Sequence, residues 1–420
     1  MIARWQWLLL QLKRKLWVRV SLFCIAALLT AMAGVVFESY LPEDGAFEFG
    51  SKSIDSILTI LASSMLAVTT FSLTTMVSAY AAATSNATPR ATKLLIDDPT
   101  TQNALGTFIG SFLYSLVGII ALSADAYGDR GRLILFLVTI GVIALIIITL
   151  LRWIDYLARL GRVGETTDRV ERATLDAVKL RIAHPFLGGH ALRDPENEIP
   201  KEARPTFAER IGYIQHVDIR AISDCAQKHE GKVYITALPG AFADPVRPLF
   251  RSVGIDDEDA LESIRIAFTI DDERSFDQDP RFGLCVLSEI ASRALSPALN
   301  DPGTAIDVIG RCVRVLNAWA PGEADDAETD APCPGVWVPP IQTAEMFDDV
   351  FTPIARDGAG NVEVQVRLQK AFAALAALGD EAFRSSAQRH SRYALTRAEA
   401  ALHMDYEKDL LQKLAAEVGA

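Results

Sequence analysis

The run Ile57-Leu58-Thr59-Ile60-Leu61-Ala62-Ser63-Ser64-Met65-Leu66-Ala67-Val68-Thr69-Thr70-Phe71-Ser72-Leu73-Thr74-Thr75-Met76-Val77-Ser78 is apolar enough to cross a bilayer, yet it is studded with hydroxyls. Lipid-facing positions are mostly Leu, Ile, Val or Phe. Small hydroxyl residues gather instead where helices approach closely or where water enters. Ser56, Thr59, Ser63, Ala67, Thr70, Thr74, Ser78, Ala81 and Ser85 recur at steps of three and four, which places them on one helix stripe. That stripe is either a tight helix interface or the wall of a polar path.

Working outward, apolar runs near 17–37, 55–83, 104–124 and 133–151 each reach the roughly 20 residues a spanning helix needs. No later run does so, and the remaining chain is expected to be aqueous. Arg4, Lys13, Arg14, Lys15 and Arg19 precede or open the first run, Arg90 and Lys93 separate the second from the third, and Arg152, Arg159 and Arg162 follow the fourth. The alternate loops hold Lys52, Arg130 and Arg132 among Glu38, Glu43, Asp44, Glu48, Asp125 and Asp129. The positive-inside rule therefore puts both termini in the cytoplasm, with Trp5, Trp7, Trp17 and Trp153 at the membrane interfaces. Ala31-Met32-Ala33 has the small residues of a cleavage site, but the long basic leader and long apolar core favour a retained anchor.

A net charge of -12 argues against a nucleic-acid partner. Five scattered cysteines, without a C-x-x-C pair, suit a reducing compartment and argue against structural zinc. Asp271, Asp272, Glu273, Asp277 and Asp279 miss the EF-hand spacing and are expected to form a solvated acidic turn. No P-loop, dinucleotide fingerprint or H-E-x-x-H occurs, so no cofactor is expected and an enzyme, though left open, is not favoured.

The pattern divides the chain into a membrane domain (1–160), a helical linker (161–205), a small β-containing subdomain (206–255) and a mainly helical cytoplasmic domain (256–420). Asp98-Pro99 and Asp301-Pro302 each combine an N-cap residue with proline at the first helical position. The spacing predicts an amphipathic helix to about 182, a helix over 219–229 and strands over 232–238 and 263–270. Further helices are predicted over 280–294, 302–318, 341–357, 360–379, 380–390 and 394–418. The turn at Pro239-Gly240, followed by Phe242, Pro248 and Leu249, looks like the half-repeat of a small lipoyl-type barrel, without a modifiable Met-Lys-Met.

Several ordered motifs carry a resemblance. They are Ser63–Leu73, Ala87-Thr88-Pro89-Arg90, Thr101-Gln102-Asn103 with Leu105–Gly110, Gly212-Tyr213-Ile214-Gln215-His216-Val217-Asp218, Gln278-Asp279-Pro280-Arg281-Phe282-Gly283, Arg293–Pro297 and Asn300-Asp301-Pro302. Over about residues 10–375 the chain resembles the DUF2254 family of predicted bacterial membrane proteins. It departs from that pattern at Gly240-Ala241-Phe242-Ala243, where relatives tend to have Gly-Asp-Phe-Val, which weakens the barrel reading. The resemblance implies a membrane region of four helices with a cytoplasmic domain, and no activity.

The expected fold is thus a membrane all-α region of four transmembrane helices plus a cytoplasmic mixed α/β domain, mostly helical with a small β element. Its expected setting is the bacterial inner membrane, and its expected partners are the lipid bilayer and further copies of itself. Two functions stay open. In one, the chain forms an oligomeric channel-like assembly whose polar path is lined by Ser56, Thr59, Ser63, Thr70, Thr74 and Ser78. In the other, tightly packed spans anchor a sensor or scaffold that binds a ligand or partner near Arg293, Ser296, Asn300 and Asp301, where a helix start exposes backbone amides. Ser296 lacks the G-x-S-x-G setting of a nucleophile, and a helix break with caps is its plainer reading. His216 is expected to be structural.

Overall fold

The computed structural model describes residues 54–96, 98–124, 129–321 and 332–419, with scattered helical positions between Trp17 and Leu29. The span expected over 17–37 therefore lies mostly outside the described residues. The described residues form two compact units, one of 54–85 and 92–166, the other of 86–91 and 167–419.

In the first unit, helices α1 (Ile54–Asn86), α3 (Pro99–Ser123) and α4 (Asp129–Leu157) supply three segments long and apolar enough to cross a membrane, and the short α2 (Pro89–Ile96) joins α1 to α3. Half of the apolar window of α3 is buried, against 17% for those of α1 and α4, so α3 is the most enclosed of these three helices. Its small residues explain why. Gly106, Gly110, Ser111, Ser115 and Gly118 are all buried, and a Cβ on Gly118 would lie 2.9 Å from Leu58 Cδ1. Close packing by small residues thus belongs to the third expected span.

Several buried polar groups in this unit are paired between helices, as hydrocarbon favours. Tyr114 Oη and Thr139 Oγ1 are 3.0 Å apart, and Trp153 Nε1 donates to Ser72 Oγ at 2.9 Å. Trp153, expected at the interface, is instead buried between helices and stacks on Tyr156. Asp98 caps α3 by accepting from Thr100 N at 2.6 Å, with Pro99 following, as the sequence predicts.

Beyond residues 86–91, the second unit runs on from within α5 (Val163–Ala183). A five-stranded sheet has the order β1 (His190–Ala191), β8 (Val336–Val338), β4 (Lys232–Ile235), β6 (Pro248–Val253), β2 (Arg204–Phe207). A three-stranded antiparallel sheet has the order β5 (Phe242–Ala243), β3 (Gly212–Val217), β7 (Phe268–Asp271). These are two open sheets, and the larger recruits strands from 190–191 and 336–338. Helices α7 (Ile219–Lys228) and α8 (Glu258–Ile266) cover a core of Ile214, Ile222, Val233, Leu249, Ile264 and Val336, with Phe250 stacked on Phe268 between the sheets. The short helix α6 (Pro195–Glu198) lies in the connection before β2.

The strand expected over 263–270 starts only at Phe268. Asp257 caps α8, and buried Ala260, Leu261 and Ile264 follow helical spacing. The rest is helical: α9 (Pro280–Ala294), α10 (Pro302–Trp319), α11 (Thr343–Asp357), α12 (Val362–Leu378), α13 (Glu381–Ala401) and α14 (Asp405–Gly419). The break expected at 390–394 is absent. His390 and Ser391 are buried within α13, which contains neither Gly nor Pro, and the chain breaks instead at 402–404.

The segment expected to be a linker contains α5, a packed helix. Its buried face is Thr166, Thr167, Val170, Glu171, Thr174, Ala177, Val178 and Arg181, while Leu180 is exposed.

Candidate functional site

The hydroxyl stripe of α1 can now be placed. Ser56, Thr59, Ser63, Thr70, Thr74 and Ser78 are all exposed, as are Ala67, Ala81 and Ser85. The buried side of α1 is Ile54, Leu58, Met65, Ser72, Met76 and Ala83. At about 100° per residue, the two sets centre about 170° apart around the helix. The stripe therefore points away from the other described helices. On one side it is bordered by exposed Ile60 and Phe71, on the other by exposed Leu66, Leu73 and Val77.

Four of its hydroxyl protons stay on the helix. Ser63 donates to Thr59 O, Thr70 to Leu66 O, Thr74 to Thr70 O and Ser78 to Thr74 O, each at 3.0 Å. Back-bonding removes the cost of a free hydroxyl proton in lipid. It leaves oxygen lone pairs along an uncharged outward face.

The residues expected near a ligand lie in the exposed turn joining α9 to α10. Asp301 accepts from Thr304 N at 3.0 Å and Thr304 Oγ1 at 2.6 Å, and these bonds hold its carboxyl below the usual range. Asn300 adopts left-handed backbone (φ 46), and its N–H donates to Ser296 O at 2.9 Å. Arg293 is exposed at the end of α9. Turn and cap chemistry accounts for Ser296, Asn300 and Asp301.

The second unit also contains a cleft that the sequence reading passed over. Its volume is about 180 Å³, and its walls are Arg181, the turn 238–241, Arg274, Gln278, Asp279, Arg281 and 340–342 with Glu345. Arg274 places Nε and Nη2 each 2.8 Å from Oδ2 of buried Asp279, and stacks over Phe282 at 5.1 Å. Burial opposes the charge on Arg274, but Asp279 beside it raises the guanidinium pKa further. Burial also lifts the Asp279 carboxyl above its ordinary range, against the pull of Arg274 and the Phe282 N–H. Arg281 Nε donates to Asp349 Oδ2 at 2.7 Å, and its Nη1 pairs with Glu345. Arg181 is 3% exposed and donates to Pro339 O at 3.2 Å.

Gly240 makes the cleft possible. With φ +91 it needs left-handed backbone, and a Cβ there would lie 2.1 Å from Asp279 Oδ2. Gln278 Oε1 accepts from Val217 N at 3.0 Å, tying β3 to the same region. Gln278–Gly283 and the Pro239-Gly240 turn were visible in the sequence as motifs. Their convergence was not, because 37 residues separate Gly240 from Gln278 and no local pattern signals the contact. Among the described residues, no cluster of His, Cys, Asp and Glu suited to a metal is present.

Two uncharacterized mycobacterial proteins, Rv1290c of Mycobacterium tuberculosis and Mb1321c of Mycobacterium bovis, are each 29% identical to this chain over 252 residues. The match covers 57% of the chain and 47% of either relative, so the chain spans about half the length of the relatives it matches. No solved structure matches it. The model of a family described as "Predicted membrane protein (DUF2254)" matches residues 13–374, and the chain belongs to that family.

Proposed function

We propose that this membrane protein self-associates in the bilayer through the hydroxyl face of α1 and that the assembly forms a channel-like polar path. The observation that carries this reading is the placement of the small, hydroxyl-rich stripe opposite the buried side of α1. Packing among the described helices does not account for it, whereas neighbouring copies would cover the bordering Ile60, Phe71, Leu66, Leu73 and Val77. Hydroxyl oxygens turned toward a common axis would offer weak, sequential contacts to a passing ion. The absence of Asp, Glu, Lys and Arg from Ser56 to Pro89 fits passive conduction better than proton-coupled transport.

The setting proposed is the bacterial inner membrane, with both termini and the large body in the cytoplasm. In support, Arg90 and Lys93 follow α1 and Arg152, Arg159 and Arg162 lie at and after the end of α4, the basic segments that the positive-inside rule assigns to the cytoplasm. Planar-bilayer recording of the purified chain tests the reading. Conductance reduced by Thr70→Leu and Thr74→Leu is expected. No conductance, or conductance indifferent to both changes, would overturn it.

A second reading, a membrane-anchored sensor or scaffold, is favoured by the arginine-lined cleft. The turn at Ser296–Asp301 offers it less, because the Asp301 carboxylate is already engaged as a cap.

A further inference from the structure

We infer that the cleft between the Pro239-Gly240 turn and the start of α11 is a binding site for a small, soluble oxyanion, carboxylate or phosphate. This inference does not depend on self-association through α1. The sign of the ligand comes from the walls. Arg181, Arg274 and Arg281 face two acids, Asp279 and Glu345, in a chain whose net charge is -12. Asp349, behind the lining, also pairs with Arg281, so the anion preference rests on the guanidinium groups themselves, whose planar donors match the geometry of carboxylate and phosphate.

The guanidinium groups are held in place before any ligand arrives. Asp279 and the Phe282 ring fix Arg274, Asp349 fixes Arg281, and Arg181 is 97% buried and anchored on Pro339 O. Pre-organised donors of this kind lose little freedom when an anion binds. A further donor group comes from α11, whose first turn reaches the cleft. Its N-cap, Gln342, makes no side-chain cap hydrogen bond, whereas Asp218, Asp279, Asp301, Asn361 and Asp380 each cap their own helices. The Glu345 N–H donates to Gln342 O at 3.1 Å, and with no carboxylate at the cap the positive end of the helix dipole faces the cleft uncompensated by a side chain.

Size narrows the class. A volume of about 180 Å³ is well below the roughly 300–1,000 Å³ of drug-sized pockets, which suits a compact metabolite. Glu345, exposed and paired with Arg281, is the group an incoming anion would displace. That exchange releases a carboxylate to water and puts the ligand on the same guanidinium.

The test is calorimetric titration of the full-length, detergent-solubilised chain with inorganic phosphate and with succinate, using choline chloride as the cationic control. Saturable binding of phosphate or succinate, and none of choline, is expected. Arg181→Gln should weaken it at least tenfold. Because Arg181→Gln removes a buried group and can impair folding, Gln342→Asp is the second variant. It supplies the missing cap and adds a negative charge, so it should weaken anion binding at least tenfold while the melting temperature stays level or rises. Failure of both anions to bind, or binding unchanged in a folded Gln342→Asp protein, would overturn the inference. Preference for phosphate or for succinate then identifies which oxyanion the cleft selects.

Discussion

The indole N–H of Trp153 donates to the Ser72 hydroxyl at 2.9 Å, and both side chains are buried, so one hydrogen bond ties α4 to α1. Ser72 is one of the α1 hydroxyls outside the periodic stripe, and it lies on the side opposite it. In Ser72→Ala the indole N–H has no acceptor in an environment without water. A loss of about 1–2 kcal/mol is expected from the cost of an unmatched buried donor and the range seen for hydrogen bonds between membrane helices. Thr74→Ala, on the exposed stripe, should cost under about 0.5 kcal/mol. Unfolding in mixed detergent micelles compares the two. Equal effects would mean that the Trp153–Ser72 bond contributes nothing.

Gly283 of α9 sits against Thr174 of α5 so closely that a Cβ there would lie 1.9 Å from Thr174 Oγ1. The fold therefore needs a missing side chain at that helix crossing. Gly283→Ala is expected to destabilise the second unit by about 1–3 kcal/mol through overpacking, despite the better helix propensity of alanine. Thr174→Gly in the same chain should recover part of the loss by clearing the space. Additive losses in the double variant would show that the two positions do not couple.

Legibility in the sequence followed the range of the interaction. Asp98-Pro99 and Asp301-Pro302 announced the starts of α3 and α10 because a cap involves residues only two or three apart. The long apolar segments of α1, α3 and α4 were legible for the same reason. Residues 263–266 were misjudged as strand because Ile264 and Ile266 have strand-like character, and the Asp257 cap with the spacing of Ala260, Leu261 and Ile264 outweighed it. The stripe on α1 was legible as a periodicity, but its direction was not. Which side of a helix is buried depends on partners such as Gly118 of α3, far away in the chain. The cleft was hidden altogether, since Arg181, Gly240, Asp279 and Glu345 meet only after folding.

His390 of α13 is 2% exposed, ringed by Phe347, Phe351, Phe372 and Tyr393, and lies 3.0 Å from Asp348 Oδ1. Burial lowers its pKa to about 4, only partly offset by Asp348 and reinforced by Arg389. Between that value and the ordinary histidine range near 6.5, the unfolded chain binds a proton that the folded chain refuses. Stability should therefore fall as pH drops below about 6.5 and level off near pH 4, by on the order of 1–3 kcal/mol. Thermal melts across this interval should show a slope that His390→Gln flattens. An unchanged slope would remove His390 as its source.

Glu171 of α5 belongs to a separate acid-sensitive contact. Arg314 grips it with Nε at 2.6 Å and Nη2 at 2.9 Å, and Arg311 adds Nη1 at 2.8 Å while also holding Asp168 and Asp307. Burial raises the Glu171 carboxyl, but the two guanidinium groups outweigh it and the net shift is downward. A depressed carboxylate contributes its stability fully above the ordinary glutamate range, near pH 4.3, and loses it as pH falls through the lowered value. This window lies below the one in which His390 acts, so the two groups can be told apart. Glu171→Gln should cost about 1–3 kcal/mol at neutral pH, because Arg311 keeps its other acids and Arg314 can return to water. It should leave the slope between pH 6.5 and 4 intact and flatten the loss below it. Hydrogen exchange in α5 and α10, measured on both sides of pH 4, locates the effect. Exchange that speeds up equally in wild type and Glu171→Gln below pH 4 would assign the acid loss to other carboxylates.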